Sequence, residues 1–244
     1  MSSQLQAELL KIRSTRTTVG LVIGMVGLIL LFTLLSSLLT KAPDLATVED
    51  QRGVLGVGSL AGIFSAIAGI MLVTSEYRYG TIRPTFLFQP KRSKVLVAKV
   101  LAGLLAGLVF GIVGEGIGFG LGYIIFSARG ITLLLDGSQV AQLLVGTVVA
   151  VALWGAIGVG LGAILRSQVG AIIGLLAWGF VAENLLFAFV PSVGRFAPVH
   201  AEDAASGFTT DHLLPSAAGI AVLIGWAALF AVLGIVIGAR RDVS

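Results

Sequence analysis

The chain contains no cysteine, so it holds neither a disulfide framework nor a thiolate metal site. Charge is its second scarcity. Only 11% of the 244 residues are Asp, Glu, Lys or Arg, about half the share of an ordinary soluble domain. So little polar surface cannot cover a water-soluble globule, and 57% hydrophobic residues with a mean hydropathy of +1.03 make the same point. Histidine is nearly missing. His200 and His212 stand in one polar stretch with Glu202, Asp203 and Asp211, and these residues read as solvated rather than as metal ligands. The sequence has no H-E-x-x-H pattern and no G-x-x-x-x-G-K-S/T phosphate loop. With no nucleophile paired to a base, the sequence gives no ground for expecting an enzyme or a cofactor bound by this chain.

What the chain does have is long apolar runs. A bilayer core of about 30 Å needs about 20 apolar residues per helix. Six runs qualify: residues 19–40, 54–75, 97–126, 140–165, 169–190 and 214–239. They lack the alternation of a barrel strand. The expected fold is therefore an all-α integral membrane protein with six transmembrane helices in a single domain, 1–244. The first run is longer than a signal-peptide core and lacks a clear small-residue cleavage pattern, so a retained helix is expected. The third run is long enough that its first turns, with Lys99, are expected in the membrane interface.

Basic residues set the orientation. With both termini cytoplasmic, twelve Lys and Arg fall inside and four, Lys41, Arg52, Arg129 and Arg195, fall outside. The net charge of +4 thus reflects topology and contact with anionic lipid, and no nucleic-acid partner is expected. Residues 4–16 put Leu5, Leu9 and Ile12 on one face, with Gln4, Glu8, Lys11 and Arg13 around the rest. That pattern suits an N-terminal amphipathic helix lying in the interface. Residues 76–94 form the largest cytoplasmic loop, broken by Gly80, Pro84 and Pro90, with Phe86, Leu87 and Phe88 as a short apolar patch. Residues 191–213 form the longest outer connection.

Two acids fall inside spans. Glu115 shares a face with Gly111, Gly118 and Gly122, which continues a Gly103, Gly107, Gly111 series. Small residues at four-residue spacing let helices approach closely, so Glu115 is expected on a protein-facing seam. Glu183, beside Asn184, falls in the outer half of the fifth span. Buried acids in a membrane mark a substrate or proton site or a structural hydrogen bond, and both readings stand for these residues. Trp154 and Trp178 read as packing or cavity-lining residues. Glu115, Glu183, Asn184 and Trp178 together form the candidate substrate pathway.

The stretch E-Y-R-Y-G-T-I, leaving the second span at Glu76, resembles the permease subunits of type-2 ABC exporters. In bacterial members an E-x-R-x-G-T-I/L stretch leads to P-x-R/K-x-x-x-L/V-x-x-K. Here the corresponding residues are Glu76, Arg78, Gly80, Thr81 and Ile82, then Pro90, Arg92 and Lys99. The resemblance extends to the interfacial helix, the six spans and the outer connection, which carries Pro191, Arg195 and Pro198. It implies a division of labour: ATP and Mg bind a separate ATP-binding cassette ATPase, present in two copies. Residues 76–94 would then be the coupling loop that docks on it, through Glu76, Arg78, Gly80, Thr81, Pro90 and Arg92. It also implies a second permease half, either another copy or a sister chain, and residence in the cell membrane. The family's substrates are diverse, and no residue set here selects among them. Two other readings remain open at this level: a proton-coupled secondary transporter using Glu115 and Glu183, and a non-transporting scaffold or immunity protein.

Overall fold

The computed structural model describes residues 2–82, 84 and 92–240, with the side chains of 2, 3, 239 and 240 excepted. Pro90, Lys91, Arg83, Arg241 and the patch Phe86 to Phe88 lie outside the described residues. Within them the chain is helical and no strand occurs. Six helical stretches are long and apolar enough to cross a membrane: Arg16–Leu39, Val48–Arg78, Arg92–Ala128, Gly137–Leu165, Gln168–Phe189 and Ser216–Gly238. The chain is thus a multi-pass membrane protein.

In chain order, α1 is Ser2–Ser14 and α2 is Arg16–Leu39, separated by an extended Thr15. The second crossing is compound. Helix α3 (Val48–Leu55) leads through a 3₁₀ turn, Gly56–Leu60, into α4 (Ala61–Arg78). Helices α5 (Arg92–Ala128) and α6 (Gly137–Leu165) are continuous. The fifth crossing pairs α7 (Gln168–Ala177) with α8 (Glu183–Phe189) across a π turn, Trp178–Ala182. The short α9 (Pro191–Gly194) and α10 (Pro198–Ala205) precede the last helix, α11 (Ser216–Arg240).

Local chemistry fixes the ends. Thr47 and Asp50 form a capping box at the start of α3, and Asp136 and Gln139 form one at the start of α6. The Ser138 hydroxyl and the Gln139 amide hold the Asp136 carboxyl below its ordinary pKa. Arg129 donates to the carbonyls of Ser37 and Thr40, closing the C-terminus of α2.

The second, third and fourth crossings form the core, with 61%, 56% and 67% of their most apolar windows buried, against 17%, 6% and 17% for the first, fifth and sixth. The outer three turn Ile23, Phe32, Ile173, Ile224 and Val232 outward, as lipid-facing helices do. Glycine sets the core spacing. A Cβ on Gly103 would lie 2.8 Å from the Gly155 carbonyl oxygen, so α5 and α6 meet backbone to backbone. The Gly238 carbonyl accepts from Arg166 at 3.5 Å, and Gly238 itself packs on Leu96 near the start of α5. The last helix therefore ends at the same end of the bundle as α1.

The structure corrects several expectations about the ends of the spans. The second helical stretch begins at Val48 rather than 54, because α3 is a bundle element and not a loop. Its Gln51 reaches Leu45 O, Thr132 O and the Leu134 amide. Arg52, expected in an outer loop, is 2% exposed and donates to Ser206 O at 2.9 Å. Glu49 accepts from the Thr209 amide and hydroxyl. Arg52 and Glu49 tie the segment after α10 to the bundle. Helix α10, in a stretch expected to be a solvated connection, folds back against α6 and α11. It fits because Gly146 and Gly219 carry no side chain: a Cβ on Gly219 would stand 2.7 Å from Ala201 O.

Candidate functional site

At the α1 end, four charged side chains from three helices converge. Lys99 of α5 is fully buried, and its Nζ donates to Glu8 Oε2 at 2.9 Å, Glu76 Oε1 at 2.8 Å and Leu72 O at 2.9 Å. Lys11 of α1 donates to Glu76 Oε1 at 2.6 Å and Glu8 Oε1 at 3.2 Å. Two acids face two ammoniums, so the charges balance, which is the condition for holding charge in an apolar interior, although Glu76 Oε2 is buried with no hydrogen-bond partner among the described residues. Burial works against the charge of Lys11, but Glu76 and Glu8 outweigh it and raise its pKa above the ordinary lysine value.

This arrangement corrects one expectation. Glu8 is not on the wet face of the N-terminal helix but is its most buried described residue, at 1% exposure. Lys99 stands at the centre of the network.

Glu76 sits at the C-terminal end of α4, and the chain then breaks at Gly80, whose φ of 71° belongs to the left-handed region that glycine enters freely. Arg78 and Tyr79 lie outside the network. Arg78 reaches Gln168 Oε1 at 3.5 Å and stacks 5.7 Å from the Tyr79 ring centroid, and Tyr79 is 72% exposed. Thr81 is exposed and Arg92 half-buried. A cavity of about 750 Å³ opens beside the network, with Glu8, Lys11, Glu76, Arg78 and Thr81 on its polar side and Leu21 and Met71 on its apolar side.

At the opposite end, a second group of buried polar residues gathers around α10. Glu115 is 1% exposed, its backbone lies against Gly58, and neither carboxyl oxygen has a hydrogen-bond partner among the described residues. Glu183 is fully buried and accepts from the Val199 amide at 2.7 Å, so it caps the start of α10. These two acids do not meet. Glu202 lies between their neighbourhoods, close enough to interact with each. Its Oε2 accepts from the Trp154 indole N–H at 2.7 Å, while Oε1 faces Gly62 without a partner among the described residues. Burial pushes the Glu202 carboxyl up to about 8, with Asp203 adding to the shift.

Glu202 is the residue that sequence reasoning missed, since its stretch reads as an outer loop. The available signal was Pro198, which opens α10 at its first turn. His200 is buried against the Phe187 ring at 4.1 Å, whereas His212 is exposed, so the two histidines do not share a site. Among the described residues no group of three or more His, Asp and Glu is arranged to hold a metal ion.

A cavity of about 260 Å³ adjoins Glu202, lined also by Ser59, Trp154, Phe180, Asn184 and Asp203. Asn184 is exposed and donates to the Gly179 and Phe180 carbonyls, where the π turn frees them. Trp178 is on that turn and 48% exposed, with its side chain within reach of the Glu183 carboxyl. Of the four pathway candidates, Asn184 lines this cavity and the other three do not.

Comparison with protein-family models returns no match for this chain, and comparison with curated proteins returns none.

Proposed function

We propose that the chain is the membrane-spanning permease half of an ATP-driven exporter of the type-2 ABC class, with both termini in the cytoplasm of a cell whose plasma membrane it crosses. On this reading α1 lies in the inner interface, a separate ATPase binds ATP and Mg, and two ATPases serve two permease halves. The observation that carries the reading is the composition of the α1 end. The E-Y-R-Y-G-T-I stretch ends the second crossing, and its Glu76 belongs to the four-residue network joining α1, α4 and α5.

Such a node suits coupling. Arg78, Tyr79 and Thr81 face outward from the bundle end and offer charge and an aromatic ring to a docking subunit. A push on them reaches Glu76 within one helical turn, and Lys99 shares that load with α5 and α1. Glu76 then acts as a positioning residue rather than a contact with the ATPase.

The buried acids around α10 favour a second reading, a transporter driven by protons through Glu202 and Glu115. Co-purification separates the two. Tagged chain extracted from its own membranes should carry a P-loop ATPase and hydrolyse ATP. A chain that purifies without any nucleotide-binding subunit, and whose transport collapses with the proton gradient, supports the second reading and overturns the first.

A further inference from the structure

The cavity at α10 has an unusual balance of chemistry. Glu202 and Asp203 line it, and among the described residues its lining includes no lysine, arginine or histidine. Glu202 is nine-tenths buried, and one of its oxygens, without a hydrogen-bond partner among the described residues, lies against the Gly62 backbone, where a Cβ would stand 3.3 Å from it. Around it stand Trp154 and Phe180, Asn184 and the Ser59 segment. The acids that face Glu202 from packed elements are Glu115 on α5, Glu183 on α8 and Asp203 on α10; the nearest imidazole, His200, pairs instead with Asp203 at 3.6 Å. A buried carboxylate without a counter-charge is costly and must be neutralised by a proton or by a ligand. Aromatic walls beside it add attraction for a cation over a ring face.

We infer that this cavity binds a small monovalent organic cation with an aromatic or alkyl body, its ammonium held by the acidic lining of Glu202 and Asp203 and its body against Trp154 and Phe180. Ionised Glu202 completes the pair, so binding releases the proton that Glu202 carries in the empty site. The volume of about 260 Å³ matches roughly nine waters at about 30 Å³ each, room for a cation of about ten non-hydrogen atoms. The inference deepens the exporter reading by naming a substrate class at the outer end of its pathway.

Benzyltrimethylammonium is the probe, titrated into the detergent-purified full chain by calorimetry, with benzenesulfonate as an anion of similar size. The chain should bind the cation and ignore the anion. Affinity should rise between pH 6 and pH 8.5, because a more acidic solution keeps Glu202 protonated. Glu202→Gln resembles the protonated carboxyl in shape, so it should fold, bind at least about tenfold more weakly and lose the pH dependence. If that variant fails to fold, the pH profile of the unaltered chain decides alone. Affinity that does not change with pH, equal binding by Glu202→Gln, or equal binding of benzenesulfonate overturns the inference. This assay needs no ATPase. A chain that binds no cation yet co-purifies with an ATPase loses only the cation site, and one that binds cation yet purifies alone loses only the exporter reading.

Discussion

Replacing Lys99 with methionine removes one ammonium from the network and leaves the rest in place. Methionine preserves most of the side-chain volume, so no large cavity opens. What is lost is three hydrogen bonds, to Glu8, Glu76 and Leu72 O, each of 2.8 to 2.9 Å. Glu8 and Glu76 remain, with side chains only 1% and 7% exposed, and share a single cation, Lys11, which is 48% exposed. Breaking a buried pair by removing one partner costs about 3–5 kcal/mol, most of it from the charge left behind. Because Lys11 still neutralises one acid, the expected loss lies near about 3 kcal/mol, at the low end of that range.

Removing Glu8 as well, in Lys99→Met with Glu8→Gln, leaves one acid and one base. The double variant should regain at least about 1 kcal/mol relative to additivity, as neighbours in one network do. Lys11→Met alone should cost about 1 kcal/mol or less, because half-exposed pairs are screened. Thermal unfolding of the purified chain gives the energies, and limited proteolysis shows whether α1 has come loose. A loss under about 0.5 kcal/mol for Lys99→Met, or strict additivity in the double variant, would refute the claim that this network holds α1 to the bundle.

Stability should also depend on pH through Glu202. Its folded carboxyl is raised from 4.5 to about 8, so the folded state keeps a proton that the unfolded state releases. Stability should therefore fall as pH rises from about 4.5 to about 8, by at most about 1.4 kcal/mol per unit, and then level off. Glu202→Gln should flatten that slope in thermal unfolding scans, and an unchanged slope would assign it to other groups. Sidedness can be read with single cysteines, because the chain has none of its own. In intact cells a membrane-impermeant maleimide should label Thr210→Cys and spare Ser14→Cys, and the reverse pattern would invert the proposed orientation.

The crossings were legible because each is a run of apolar residues long enough to declare itself without tertiary information. The Glu115 seam was legible for a related reason: Gly111, Gly118 and Gly122 recur at helical spacing around it. The polar network was not. Glu8 and Lys99 are 91 residues apart, and each looks like a surface charge until the other is beside it. Glu202 was misread for the same reason: its acid sits among His200, Asp203 and other polar residues, and only the glycines of α6 and α11 reveal that α10 has a slot to enter. Gln51 and Arg52 were hidden because a compound crossing, α3 with its 3₁₀ turn, carries polar residues that an apolar-run criterion cuts away.

The central claim is that the α1 end, at the break after α4, is where an ATPase docks. A photo-crosslinking amino acid at Tyr79, which is 72% exposed, tests it directly in native membranes, with the same group at Leu134 as the opposite-end control. Ultraviolet light should join the Tyr79 position to a P-loop ATPase, and the Leu134 position should give no such product. A crosslink to an ATPase from Leu134, or none from Tyr79 in an assembly that hydrolyses ATP, would contradict the account.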